Sequence, residues 1–399
     1  MPRSAPPRIL VVGYHGSSNF GDDLFLRIVC EQLYQRIGPV ELVVSTNNSD
    51  ACPKFVGCRI SGAYPEGNRI RRLDWLRLLF VSLRSDGIIF CGGSIFAGKR
   101  QAAFSHFLST FRVVDRLLAR QRPIFGVGLS LGPFENRNAR LQTQNAIRCF
   151  DRLIVRDHFS INIAITASRG GTDLSPDIAL ALLPEYQRIR DEASRLPSTG
   201  VSIGVFIGPG FEASNESALD KLVDGLLSAA SKAGQEIRPT VFVTCRERDV
   251  SDAVIGERVF AALSARGISA RIEEYSPLEP KKFIARLLQM DGIVSSRLHP
   301  ALVAMSVGIP VLQVDSGHPK IREVFALAGF RPASFSTPTS FSQEVFDSLF
   351  AALDGPSKAV SPARLNAENA KIAHERVKAI LSESFDDFVR YCGISKSTA

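Results

Sequence analysis

Ten short apolar runs, spaced along the chain and most of them followed by a turn and a helical pattern, leave few folds open to this sequence. The first five occupy residues 9–12, 40–45, 87–91, 123–127 and 152–155, and the second five residues 201–206, 240–244, 270–273, 292–294 and 311–314. Strand-length runs alternating with helices are the signature of a mostly parallel α/β sheet. At 399 residues one core is too small for the chain, so the two sets read as two domains. A polar, Pro-bounded stretch separates them. The expected division is 1–185 for the first domain, 186–200 for a linker, 201–355 for the second domain and 361–395 for a long amphipathic C-terminal helix. Two doubly wound, Rossmann-like halves predict ligands at the carboxyl ends of the strands, in a cleft between facing domains.

Composition narrows the class without naming a ligand. Apolar residues make up 45% and charged residues 22%, as in ordinary soluble domains. Lys and Arg number 48 against 40 Asp and Glu, a net charge of +8, which favours an anionic substrate, a nucleic acid or an acidic membrane surface. The charge reads as spread along the chain and selects none of these, and no nucleic-acid-binding module accompanies it. Seven scattered cysteines without a CxxC pair point to reduced thiols. Residues 1–8 lead directly into the first strand without an apolar signal region, and no apolar run approaches the ~20 residues of a membrane span. A cytoplasmic protein is expected, with the inner face of the membrane as an alternative address. The basic, aromatic segment 69–84 either rests on an acidic membrane or crosses over the first sheet as a packed helix.

The segment from Gly292 to Pro310 carries the strongest chemical signal. It reads as a buried strand, the loop Ser295-Ser296-Arg297-Leu298-His299 and a short helix, with Pro300 in the first helical turn and Gly308 and Pro310 as a stop. Arg297 and His299 then sit at a helix N-terminus, where free N–H groups already favour an anion. A guanidinium beside an imidazole can hold a phosphate or carboxylate and move a proton, though a capping Arg and a satisfied loop His fit the same pattern. Arg156, at the end of strand 152–155, can supply a second anion contact, with Asp157 beside it a helix cap. Lys320 follows strand 311–314 and can face the same pocket as His299.

Loop 13–23, Gly13-Tyr14-His15-Gly16-Ser17-Ser18-Asn19-Phe20-Gly21-Asp22-Asp23, is neither a G-x-G-x-x-G nor a Walker loop. Asp22 and Asp23 repel phosphate. With Asn19 they suit hydroxyl recognition, or they cap the helix. Gly92-Gly93-Ser94 and the 126–133 segment allow close backbone approach to a ligand. No His, Cys or Asp cluster has metal-ligand spacing.

Taken in order, loop 13–23, Gly92-Gly93-Ser94, the 126–133 segment, Val155-Arg156-Asp157 with Ser160, Arg297-Leu298-His299 and Pro319-Lys320 resemble the polysaccharide pyruvyl transferases. The resemblance covers about residues 8–330 and implies a fold similar to the GT-B glycosyltransferases. It implies transfer of pyruvate from phosphoenolpyruvate, as donor substrate without any cofactor, to hydroxyls of a sugar in a polysaccharide or lipid-linked oligosaccharide, forming a ketal. In that arrangement Arg297, Leu298, Arg156 and Lys320 bind the donor, His299 and Arg297 are catalytic, and Asn19, Asp22 and Asp23 face the acceptor. The sequence departs from the family where Cys91 precedes the glycine pair, at Val127, at His318 and at Ile178 after Asp177. Two other readings are a nucleotide-sugar glycosyltransferase, for which Glu375 and Glu383 supply an E-x7-E pattern, and a non-catalytic glycan or phosphometabolite binder.

Overall fold

A computed structural model describes residues 5–46, 48–62, 72–96, 101–168, 170–192, 200–208, 211, 217–246, 251–315, 320–338, 340–353 and 361–394. The chain forms two compact units. The first comprises Met1–Ser17, Gly21–Ile178 and Arg376–Ala399, and the second Ser18–Phe20 and Ala179–Glu375.

The first unit is a seven-stranded parallel sheet. In chain order its elements are β1 (Arg8–Val12), α1 (Phe20–Ile37), β2 (Val40–Val44), β3 (Cys58–Gly62), α2 (Arg72–Leu83), β4 (Gly87–Cys91), α3 (Gln101–Leu117), β5 (Ile124–Leu129), α4 (Arg137–Ile147), β6 (Arg152–Val155), α5 (His158–Ala167) and β7 (Gly171–Leu174). The strand order is β3-β2-β1-β4-β5-β6-β7, so the winding reverses between β1 and β4. The central strands are apolar on both sides because helices cover both faces. On one face Leu10, Ile88, Phe90 and Ile124 pack with Leu78 of α2, Phe107 and Phe111 of α3, Ile147 of α4 and Ile163 of α5.

The second unit is a six-stranded parallel sheet of order β10-β9-β8-β11-β12-β13. Its elements are α6 (Leu183–Glu192), β8 (Val201–Phe206), α7 (Ala218–Lys232), β9 (Ile237–Val243), α8 (Ala253–Ala265), β10 (Arg271–Glu274), α9 (Pro280–Leu288), β11 (Gly292–Ser295), α10 (Leu298–Ser306), β12 (Val311–Val314), α11 (Lys320–Leu327), β13 (Ser334–Ser336) and α12 (Gln343–Leu353). In α9 the Pro at the first position removes an N–H that has no intrahelical partner, and Phe283, Ile284, Leu287 and Leu288 form its buried stripe. Phe242 stacks on Phe206 at 4.4 Å and meets Phe283 edge-on at 5.5 Å. Phe20, the first residue of α1, belongs to this core. It packs against Tyr275 and Phe283 and donates its N–H to Thr244 O.

The last helix, α13 (Pro362–Tyr391), is shared. In the second unit Asn366 and Asn369 bond the backbone of Arg331 and Gly329. In the first, Asp386 pairs with Arg36 and Phe388 packs edge-on against Phe125.

Three readings of the sequence change. The first unit yields to the second at Ile178/Ala179, not after residue 185, because α6 packs against α9 and α10 and Tyr186 donates to Ala179 O. The span 186–200 is helical as far as Glu192, and 193–199 lie outside the described residues. The charge is concentrated, not spread. Residues 72–148 hold 12 Lys and Arg against four Asp and Glu, leaving 36 of each sign elsewhere. Among the described residues no helix is long and apolar enough to cross a membrane, and the seven cysteines are free thiols.

Candidate functional site

In each unit the residues singled out above gather where the winding reverses, at the carboxyl ends of the central strands. There, neighbouring loops diverge to opposite faces and open a crevice.

In the second unit this point lies between β8 and β11. The Ser295 hydroxyl accepts from Arg297 N at 3.0 Å and donates to Arg297 O at 2.7 Å. Ser296 ties the turn to β8, its N–H reaching Phe206 O and its Oγ accepting from Gly208 N. Arg297 is thereby held in extended backbone as the N-cap of α10, with Leu298 and His299 in the first helical turn and Pro300 following. The Arg297 guanidinium lies flat on Gly208, where an added Cβ would meet Nε at 2.7 Å. Its Nε and Nη2 both reach Asp252 Oδ1, the former at 3.0 Å. The other Asp252 oxygen accepts from Thr244 N and Oγ1 at 3.1 and 2.6 Å, so this buried carboxylate is itself fixed. Lys320 opens α11 immediately beyond β12, the neighbour of β11. His318 and Pro319 lie outside the described residues.

In the first unit the reversal lies between β1 and β4. Loop 13–23 and the Gly92-Gly93-Ser94 turn face one another there. Gly13 N donates to Ser45 Oγ at 3.0 Å. The Asp22 carboxylate stands over Gly92, 3.1 Å from where a Cβ would be. Asp22 and Asp23 are both buried in the first turn of α1, where negative charge complements the helix dipole. Asn19, read together with them, is carried by the second unit instead. The Arg156 guanidinium lies against Gly93, pairs with Asp177, receives support from Ser130 Oγ at 3.0 Å and sits over the Phe25 ring. Asp157 caps α5 through Ser160 N at 2.7 Å.

The two units share a device, an arginine just past a strand laid on a glycine and fixed by an aspartate: Arg297 after β11 lies on Gly208 after the adjoining β8, and Arg156 after β6 lies on Gly93 after β4, with β5 between those strands. Sequence reasoning found both arginines and missed both aspartates. Asp252 stands among the polar residues after β9, and Asp177 gave no signal beyond its departure from an Asp-Pro pair.

His15 is fully buried in loop 13–23, with Nε2 against Gly13. Burial lowers its pKa from 6.5 to about 4. The Asp22 backbone opposes the shift, without an ordinary hydrogen bond to either ring nitrogen.

The structure thus brings Arg297, Leu298 and His299 onto one helix start with Lys320 opening the next helix of that unit, while Arg156, Asp22 and Asp23 belong to the first unit. Glu375 and Glu383 are exposed on α13, and Glu383 pairs with Arg152. Both stand on the solvated side of the helix. No group of acidic, His and Cys side chains suited to a metal occurs among the described residues.

A family model of polysaccharide pyruvyl transferases matches residues 19–318, a span that includes the Arg297-Leu298-His299 helix start. The chain belongs to the polysaccharide pyruvyl transferase family. No curated protein sequence matches it significantly. Solved structures similar to it in fold include UDP-GlcNAc 2-epimerase from Neisseria meningitidis bound to UDP-GlcNAc, at a TM-score of 0.59 and 11% identity over 95% of this chain and all (100%) of that one. Sucrose-phosphate synthase from Thermosynechococcus elongatus aligns at 0.56 and 12% over 98% and 100%, and a UDP-glucosyltransferase from Polygonum tinctorium at 0.52 and 11% over 98% and 100%. At such identities the likeness concerns the fold, which is GT-B-like with two Rossmann-like units.

Proposed function

We propose that this pyruvyl transferase takes pyruvate from phosphoenolpyruvate and places it as a ketal on two hydroxyls of a sugar, within a polysaccharide or its lipid-linked precursor. The observation that carries the reading is the start of α10, where an aspartate-fixed Arg297 and His299 share a helix N-terminus. Such a site suits a small, multiply charged anion.

An imidazolium His299 gives its proton to the methylene carbon of phosphoenolpyruvate, and an anion beside it favours that protonated form. The oxocarbenium-like C2 accepts one sugar oxygen, whose proton leaves to a base. The C2–O bond to phosphate then breaks, a second sugar hydroxyl attacks C2 and its proton departs with inorganic phosphate. Arg297 and Lys320 stabilise the phosphate as it leaves, and Leu298 lines the donor from the same helix turn. Arg156, paired with Asp177, is the anion-binding candidate of the first unit. Asp22 and Asp23 of the first unit bind acceptor hydroxyls, because carboxylates pair with OH groups and repel an anionic donor.

The test is incubation with phosphoenolpyruvate and a panel of glycans, read by phosphate release and by mass spectrometry of the glycan. Phosphate release matched by a pyruvyl-bearing glycan supports the reading. Turnover of a sugar nucleotide instead, or binding of phosphoenolpyruvate without turnover on any glycan, overturns it.

A further inference from the structure

The concentration of charge in residues 72–148 coincides with an apolar surface. On α2, Leu76, Phe80 and Arg84 recur at intervals of four and stand exposed, with the Arg84 guanidinium 3.9 Å from the Phe80 ring centre and Arg77 beside them. On α3 and its C-terminal turn, Val113, Leu117 and Leu118 are exposed, Leu117 to 80%, and are interspersed with the exposed Arg116 and Arg120. The helices pack side by side on one face of the first sheet, and Arg122 Nη2 joins their C-terminal ends through Leu83 O at 2.5 Å.

Carboxylates are withdrawn from this face. From Leu76 to Arg122 the acidic residues are Asp86 and Asp115. Asp86 accepts from Arg8 N, and Asp115 is buried against Arg122. A cavity of about 550 Å³ opens at the C-terminal ends of the two helices, lined by Arg84, Arg120 and Arg122 and by the single carboxylate of Asp86, which is engaged by Arg8 N.

We propose that the outer face of α2 and α3 docks on an anionic lipid surface. Aromatic and aliphatic side chains enter the headgroup boundary, while the arginine rim and the cavity between Arg84 and Arg120 take lipid phosphates. Charge decides the occupant: a second copy would bring like charge against like, whereas an anionic bilayer complements every exposed charge on the face. The surface does not rest on the proposed reaction, since lipid vesicles contain neither donor nor glycan.

The test is flotation of the full-length protein with vesicles of phosphatidylcholine alone, and with roughly one lipid in three replaced by phosphatidylglycerol. The protein should float with the anionic vesicles only and be released by high salt, which screens the surface charge. Arg77→Gln, Arg116→Gln and Arg120→Gln should each weaken partitioning roughly fivefold. The double variant Phe80→Ser and Leu117→Ser should abolish it at unchanged melting temperature. If the double variant fails to fold, the arginine series decides alone. Absence of flotation, equal flotation with neutral vesicles, or partitioning indifferent to these arginines overturns the proposal. So does a concentration-dependent dimer, seen by sedimentation, that Phe80→Ser dissociates.

Discussion

Acid should loosen the loop that carries Asp22 and Asp23, and His15 sets by how much. In the folded chain the imidazole stays neutral down to about pH 4, while in the unfolded chain it takes a proton near 6.5. Above pH 6.5 neither state is protonated, and the stabilising difference is fully present. As pH falls from 6.5 towards 4 the unfolded state alone binds the proton, so stability is lost progressively across that window. The complete loss is about 3 kcal/mol, of which about 2 kcal/mol has gone by pH 5. Other groups titrate in the same range, so the informative quantity is the difference between wild type and His15→Asn, whose amide does not titrate. Urea unfolding at pH 7 and pH 5 should show the wild type losing about 2 kcal/mol more than the variant. Histidine NMR provides the direct check, because the His15 ring signal should stay in its neutral position until about pH 4. A native His15 titrating near 6.5, or parallel pH dependence in the two proteins, would refute the argument that burial governs this side chain.

Gly208→Ala should push the Arg297 guanidinium off Asp252, raising the donor KM and lowering the melting temperature, because the buried carboxylate loses its cation; unaltered steady-state kinetics would count against the packing described. Removing Arg297 itself should cost about 1.5–3 kcal/mol of donor binding, whereas His299→Ala should lower kcat by roughly 10²–10⁴-fold, and near-normal kcat in the latter would exclude proton transfer. Asp252→Asn should reproduce part of the Arg297 defect in calorimetric titrations with phosphoenolpyruvate, since the amide still bonds Thr244 but no longer fixes the guanidinium by charge. Asp22→Asn and Asp23→Asn should impair acceptor use while leaving donor affinity intact; Asn caps helices nearly as well as Asp, so wild-type acceptor kinetics in both would reduce these residues to caps.

All but one of the strands that sequence reading found are largely buried, the exception being the exposed edge strand β10. Runs such as Ile-Leu-Val-Val and Gly-Ile-Ile-Phe-Cys are apolar throughout because helices cover both faces of the sheet, and that leaves a mark in composition. The strands it missed, β3, β7 and β13, all lie at sheet edges. Their sequences, CRISG, GTDL and SFS, are partly exposed and polar, and what makes them strands is the neighbour they pair with. The same distinction holds at the site. Arg297 and His299 were legible because they lie within one strand-turn-helix segment whose punctuation is local. Asp252 lies 45 residues from Arg297, and only the parallel pairing that brings the ends of β9 and β11 to the same edge gives it meaning. The charge on α2 and α3 was present in the sequence, but its coincidence with Leu76, Phe80 and Leu117 depends on helix faces that periodicity alone did not resolve.

The division of α13 between the units bears on how the chain is made. Every strand of the first sheet has left the ribosome once Leu174 is out, yet Phe388, which covers Phe125 and crowds Gly87, follows only much later in the chain. Through translation of some two hundred further residues, part of that sheet's apolar face has no lid of its own chain. The second unit needs nothing beyond Glu375 and completes first, so assembly runs against the order of the sequence. Throughout that interval a nascent chain of this design presents an oily strand pair, the kind of surface on which chaperones act.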